Sequence, residues 1–168
     1  LDFKVARAYI GLGSNLGDGL YNLMAAWKKL GEFNNIHIQL LSNPYKTEPV
    51  GIDSEHWFTN AVGILETTLL PKNLLDVMLQ VEKKMGRDRG MGCDRTIDLD
   101  ILFYDDVILA DETLSLPHPE IQNRLFVLKP LNELAPDLVH ILLGKSIKEL
   151  EAALLESGQH IEKLSWSR

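Results

Sequence analysis

Asp98 and Asp100 are the residues whose type and spacing say most about chemistry. They lie in Thr96-Ile97-Asp98-Leu99-Asp100-Ile101-Leu102-Phe103-Tyr104, which reads as a strand with Ile97, Leu99, Ile101 and Phe103 on one side and both aspartates on the other. Two positions apart on a strand, their Cα atoms stand about 6.5 to 7 Å apart on one face, so both carboxylates reach one spot. Like charges that close need a counter-charge or a proton. Hard oxygen ligands without His or Cys beside them suit magnesium, which fills its shell with water and substrate phosphates. The bland alternative for a bare Asp-x-Asp is a strand face carrying two solvated acids.

The residues just upstream weigh against that alternative. Lys83, Lys84, Arg87, Arg89 and Arg95 crowd together, and after Glu82 the only acids among them are Asp88 and Asp94. Three of the arginines stand in or beside the Gly-rich stretch 86–92, a loop expected to join a helix to the aspartate strand. Guanidinium groups bind phosphate through two parallel hydrogen bonds and stay charged at any working pH. A basic loop alone is usually a solvated surface. Beside two strand aspartates it suits phosphoryl transfer, where catalysis is mostly positioning and neutralisation of charge.

A third group is aromatic and polar. Trp57, Phe58 and Asn60 come before a strand and Thr47 ends another segment. Flat rings beside an amide suit a planar heterocycle with hydrogen-bonding edges, although such residues taken singly are more often core packing. His118, between Pro117 and Pro119 and followed by Arg124, could hold phosphate or ribose, or simply sit at the surface. The opening Gly11-Leu12-Gly13-Ser14-Asn15-Leu16-Gly17 is not a dinucleotide fingerprint, because Leu16 stands where G-x-G-x-x-G needs glycine, and no P-loop occurs in the chain. It reads as a turn, with Asn15 or Asp18 capping the helix that follows.

The elements that must position these groups follow from periodicity. Residues 5–10 read as a short buried strand and 11–19 as a loop, before Leu20, Leu23, Met24, Trp27 and Leu30 recur at helical spacing up to Gly31. Ile36, Ile38 and Leu40 alternate as a strand, Ser42-Asn43-Pro44 interrupts, and 45–47 and 61–68 are further extended segments. Pro71 opens a helix carrying Leu74, Leu75, Met78, Val81 and Met85, closed by Gly86. Beyond the aspartate strand, Asp105-Asp106 is a turn, 107–109 are expected to pair back, and 126–134 form a helix disturbed by Pro130. Ser146 and Glu149 make a capping box for a last helix, and 161–164 are expected to close the sheet. Strand, helix, strand, strand, helix, strand is the ferredoxin-like βαββαβ order. The expectation is an α+β fold, a mainly antiparallel sheet with helices on one face and extra elements at the C-terminal end.

Bulk properties bound the function. At 168 residues, 45% hydrophobic and 24% charged, the chain suits one domain spanning 1–168. No apolar run approaches the roughly 20 residues of a membrane-spanning helix, so no membrane role is expected. A net charge of -7 argues against nucleic acid as a partner. The single cysteine, Cys93, can form no internal disulfide, and cytoplasm is the expected location. The chain begins at Leu1 rather than Met and shows no signal-peptide pattern, so an excised or processed piece is expected.

These residues resemble the 6-hydroxymethyl-7,8-dihydropterin pyrophosphokinase family of folate biosynthesis. The likeness runs from Ala8-Tyr9-Ile10-Gly11-Leu12-Gly13-Ser14-Asn15-Leu16-Gly17 through Tyr45-Lys46-Thr47-Glu48-Pro49, Asn60-Ala61-Val62 and Gly86-Arg87-Asp88-Arg89. It continues through Arg95-Thr96-Ile97-Asp98-Leu99-Asp100-Ile101-Leu102 and Leu116-Pro117-His118-Pro119. The resemblance implies that the β,γ-diphosphate of ATP passes to the pterin hydroxymethyl group, giving AMP and the pterin diphosphate. It implies two Mg2+ ions on Asp98 and Asp100, and Arg87, Arg89 and Arg95 on the triphosphate, their loop closing over the site. Glu82, Ser115, His118, Arg124 and the backbone near Ile101 would line the nucleotide site. The pterin would stack between Phe58 and Phe126 while Thr47, Asn60 and the backbone near Val50 read its edge. Another folate-pathway enzyme, fused or neighbouring, is a partner this resemblance allows.

The chain departs from the commonest family pattern at three places. Gly92-Cys93-Asp94 replace a Trp-Gly-Pro run, Thr113 replaces an arginine and Pro119 a tyrosine, which bears on nucleotide affinity rather than on the reaction. No histidine or lysine stands out as a base, so Asp98 or Asp100 is expected to accept the proton of the attacking hydroxyl. Two rivals are a small-molecule sensor without chemistry and a metal-dependent nucleotide hydrolase that uses water.

Overall fold

The computed structural model describes residues 4–49, 56–86 and 94–167. Val50, Arg87, Arg89 and Gly92 lie outside the described residues, as does most of the stretch expected to close over the site.

The chain runs β1 (Ala6–Ser14), α1 (Gly19–Gly31), β2 (Ile36–Leu41), β3 (Tyr45–Thr47), β4 (Phe58–Thr67), α2 (Pro71–Lys84) and β5 (Asp98–Tyr104). There follow β6 (Leu109–Ala110), β7 (Ser115–Leu116), a 3-10 turn (Ile121–Asn123), α3 (Leu125–Leu134), α4 (Ile147–Leu154) and β8 (Ile161–Lys163). The main sheet has the order β5-β1-β4-β3-β8, with β2 on β4 beside β3, and every pairing in it is antiparallel. Stripped of β3 and β8 this is the expected ferredoxin-like arrangement.

Local signals explain most element boundaries. The Asp18 side chain accepts the Tyr21 N–H at the start of α1, while Pro71 occupies the first turn of α2, where a missing N–H costs nothing. Gly86, at φ 86°, turns the chain away after α2. Ser146 and Glu149 form the expected capping box on α4.

Five expectations need correction. Residues 11–14 continue β1 instead of forming a loop, and β4 begins at Phe58, so Phe58 and Asn60 lie within a strand. Residues 109–110 pair with β7, not back onto β5. The strand at 161–163 lies on β3 at the sheet edge and closes nothing.

The fifth correction concerns the sheet faces. One apolar layer packs Ala6, Ala8, Ile10, Leu12, Leu65, Leu99 and Ile101 against α1 and α2. A second gathers Tyr9, Val62, Ile64, Leu102 and Phe103 beneath α3 and α4. Both faces are therefore covered, and the C-terminal helices cover the one expected to be open. The register between β1 and β5 shifts between Tyr9 and Ile10, leaving Leu102 as an extra residue in β5. The bulge places Leu102 and Phe103 on the same face, so Phe103 leaves the side of Leu99 and Ile101 and meets Tyr9 edge-on at 5.9 Å.

Candidate active site

The α3 layer covers only part of its face, and the rest is an open cleft lined by residues of β1, β3, β4, β5 and α3. Its floor comes from β1. Even-numbered residues of that strand fill the α1 and α2 layer, so Gly11 and Gly13 face the cleft. Gly13 stands between Asp98 on β5 and Asn60 on β4, and Gly11 between Asp100 and Val62. A Cβ at Gly13 would fall 2.9 Å from Asn60 Oδ1. The two glycines keep the floor bare between an acidic edge and an amide edge.

On the acidic edge, Asp98 and Asp100 share the cleft with Arg95 and Arg124. Arg95 donates from Nη1 to Asp98 Oδ2 at 3.1 Å. Burial pushes the Asp100 carboxyl up to about 7, with the Asp98 and Glu82 charges adding to it and Arg124 and Arg95 opposing. Two carboxylates on one strand face of the cleft, that of Asp100 desolvated, are a hard oxygen donor set, so these residues fit magnesium.

Arg95 is held in place by Asn15. The Asn15 Oδ1 accepts the Arg95 N–H at 2.7 Å, its Nδ2 donates to Asp94 Oδ1 at 2.7 Å, and its own N–H donates to the Arg95 carbonyl at 3.0 Å. His56 Nδ1 meets the other Asp94 oxygen at 3.0 Å. Asn15 is therefore not the helix cap, a duty Asp18 performs.

The opposite wall is aromatic and amide-bearing. Thr47 and Asn60 are both buried, and Asn60 Nδ2 donates to Thr47 Oγ1 at 2.8 Å. Phe58 and Phe126 both line the cleft. The Arg95 guanidinium lies 5.9 Å from the Phe58 ring and the Arg124 guanidinium 5.6 Å from the Phe126 ring, within cation–π range.

Other expected residues sit at the periphery. Glu82 is buried, and its Oε2 accepts the Leu99 N–H at 2.8 Å where β5, an edge strand, leaves an amide free. Ile101 is buried in the α1 and α2 layer, and Ser115 pairs across from Ala110 in the small sheet. His118 donates its N–H to the Leu102 carbonyl, while its Nδ1 accepts the Glu120 N–H at 3.1 Å. Burial and then the Arg124 charge hold this imidazole below its usual range, and the tautomer set by Glu120 presents Nε2 as a donor. Thr113, at the arginine position of the family pattern, is exposed and donates its hydroxyl to Asp111 Oδ1.

Sequence reasoning missed Gly11, Gly13, Glu48 and the Asn15 latch. Period-two alternation of Ile10, Leu12 and Ser14 with the glycines was the available signal for the floor.

The family model described as 7,8-dihydro-6-hydroxymethylpterin-pyrophosphokinase (HPPK) matches residues 9–136. The 2-amino-4-hydroxy-6-hydroxymethyldihydropteridine pyrophosphokinase of Methylorubrum extorquens is 42% identical over 156 residues, covering 92% of this chain and 97% of the relative. That of Haemophilus influenzae is 43% identical, covering 79% and 83%. The bifunctional protein FolKE of Lactococcus lactis subsp. cremoris is 40% identical over 91% of this chain but only 44% of its own length. Among solved structures, Plasmodium falciparum HPPK-DHPS with pteroate superposes at a TM-score of 0.76 over 94% of this chain and 46% of that one, at 16% identity, a likeness of fold. With the family model running from within β1 through the acidic edge to the end of α3, the chain belongs to the 7,8-dihydro-6-hydroxymethylpterin-pyrophosphokinase family.

Proposed function

We propose that this chain, acting as one unit over residues 1–168, transfers the β,γ-diphosphate of ATP to the hydroxymethyl group of 6-hydroxymethyl-7,8-dihydropterin with magnesium as cofactor. The observation that carries this reading is that the Asp98 and Asp100 carboxylates face the same cleft as the Thr47–Asn60 pair and the two phenylalanine rings. One edge suits a cation-bridged polyphosphate and the other a flat heterocycle with hydrogen-bonding edges, and the bare glycine floor leaves room between them.

In this reading the pterin lies between Phe58 and Phe126. The Thr47–Asn60 pair and the backbone near Val50 read its edge, and Arg95 and Arg124 bind phosphate oxygens from the acidic side. Arg87 and Arg89 are assigned to the same triphosphate, and Glu82, Ile101, Ser115 and His118 to the nucleotide side. Asp98 and Asp100 would hold two Mg2+ ions, which when bound supply positive charge to the phosphates and lower the pKa of the attacking hydroxyl. The hydroxymethyl oxygen attacks the β-phosphorus, the bond from that phosphorus to the bridging α,β-oxygen breaks, and AMP leaves with the electron pair. The hydroxyl proton passes to Asp98 or Asp100.

The test is to incubate the protein with ATP, Mg2+ and the reduced pterin and identify the nucleotide product. AMP with an equal amount of pterin diphosphate is expected. ADP would mean a different transferred group, nucleotide breakdown without pterin would mean a hydrolase, and no turnover would mean a binding protein.

A further inference from the structure

We infer that Gln159 is a positioning residue for Arg124 and Phe126, and through them for both substrates. The inference rests on the proposed reading of the cleft. Arg124 is the N-cap residue of α3, a position that normally holds Ser, Thr, Asp or Asn so that the side chain can accept a free amide of the first turn. A guanidinium has no acceptor, and α3 has no cap bond from its own N-cap side chain. The acceptor comes instead from 34 residues along the chain, where Gln159 Oε1 takes the Leu125 N–H at 3.0 Å. The same side chain donates from Nε2 to the Asn123 carbonyl at 3.0 Å.

These two bonds hold the peptide groups on either side of Arg124. Together they fix the backbone angles that set where the guanidinium leaves the chain, and Phe126 follows one residue into the helix. Supplying the cap from outside frees the N-cap position for an arginine facing the cleft.

Gln159 can serve as an anchor because its own segment is fastened along the opposite wall. The His160 N–H donates to Glu48 Oε1 at 3.2 Å, and Ile161, Glu162 and Lys163 pair with Thr47, Lys46 and Tyr45. The Leu164 N–H donates to the Pro44 carbonyl, and Trp166 Nε1 donates to the Ser42 carbonyl at 3.0 Å. One strap thus ties the Thr47 wall to the Arg124 wall and sets the width between them.

Amide hydrogen exchange and steady-state kinetics on Q159A, Q159E, R124A and the R124A/Q159A double variant test this. Exchange at Leu125 reports on the clamp whatever the cleft binds, and it should accelerate in Q159A. The KM values for ATP and pterin should each rise about tenfold, more than kcat falls, as expected for loss of a neutral hydrogen-bonded pair that aligns binding groups. Q159E keeps the acceptor and loses the donor, so it should fall between wild type and Q159A. With Arg124 already removed, deleting Gln159 should change the ATP KM less than about twofold, the mark of two residues acting through one contact. Unchanged Leu125 exchange overturns the proposal. So does faster exchange with wild-type KM values, or an undiminished effect on ATP in the R124A background. A wild-type chain that forms no AMP instead defeats the pterin-kinase reading, and it does so before any variant is compared.

Discussion

Asp100 and Asn15 show how differently single residues reveal themselves. Two acids at i and i+2 in an apolar run already say that both carboxylates share a face, because strand alternation is a local property. Asn15 lies 79 positions before its partner Asp94, and no local rule reports such a bond. Asp98→Ala should lower kcat by about a hundredfold to a thousandfold, the loss typical of removing a group that stabilises transition-state charge. Pterin affinity, followed by the fluorescence of the pterin, should change far less. Near-normal turnover would remove Asp98 from the chemistry. Asn15→Ala should cost about 1–3 kcal/mol of stability by leaving bonded groups behind Arg95 without their partner. Thermal melts give that figure, and kcat/KM should fall with it if the latch sets where Arg95 stands.

At the scale of elements, periodicity located most strands and helices but misread their ends. Glycine in a strand is locally indistinguishable from glycine in a turn, so 11–14 looked like a loop until β4 and β5 were seen pairing with it on both sides. The helices at 125–134 and 147–154 were legible, yet where they pack was not, since amphipathicity names a buried face and not the surface it meets. α3 is docked near its far end by Glu133, which accepts the Tyr45 hydroxyl at 2.8 Å and the Asn43 N–H at 2.9 Å. Burial and then Glu133 hold the Tyr45 phenol well above its usual range, so it stays a donor throughout the working pH range. Because the floor is a strand rather than a loop, Gly13→Ala drives its methyl against Asn60 Oδ1. The KM for pterin should rise about tenfold, the equivalent of one displaced hydrogen bond, with that for ATP nearly constant. Equal effects on both substrates would contradict the assignment of Asn60 to the pterin edge. On the opposite face, Gly63→Ala drives its methyl into the Trp27 ring and should cost about 1–3 kcal/mol, as overpacking does, measurable by denaturant unfolding.

For the molecule as a whole, the charge left unbalanced at the cleft ties stability to pH and to metal. Asp100 titrates near 7 when folded and near the ordinary aspartate value of about 3.9 when unfolded. Between those values the folded chain binds more protons than the unfolded one, so metal-free stability falls as pH rises from about 4 to about 7 and then levels. Magnesium takes the proton's place, so the rise in melting temperature on adding Mg2+ should be larger at pH 8 than at pH 6. Asp100→Asn should flatten the metal-free slope, and a slope unchanged in that variant would assign the dependence to other groups. The ferredoxin-like order was readable in the sequence because each of its elements is local, whereas the joining of the two walls by β8 depends on pairing across more than a hundred residues. The single additional residue at Leu102 has a consequence for inheritance. It switches the parity of β5 between the carboxylates and the aromatic end, so a one-residue deletion there would turn either the acids or Phe103 toward the wrong layer. Leu102→Met should be tolerated where loss of the residue is not, and homologous chains should align without a gap from Asp98 through Phe103.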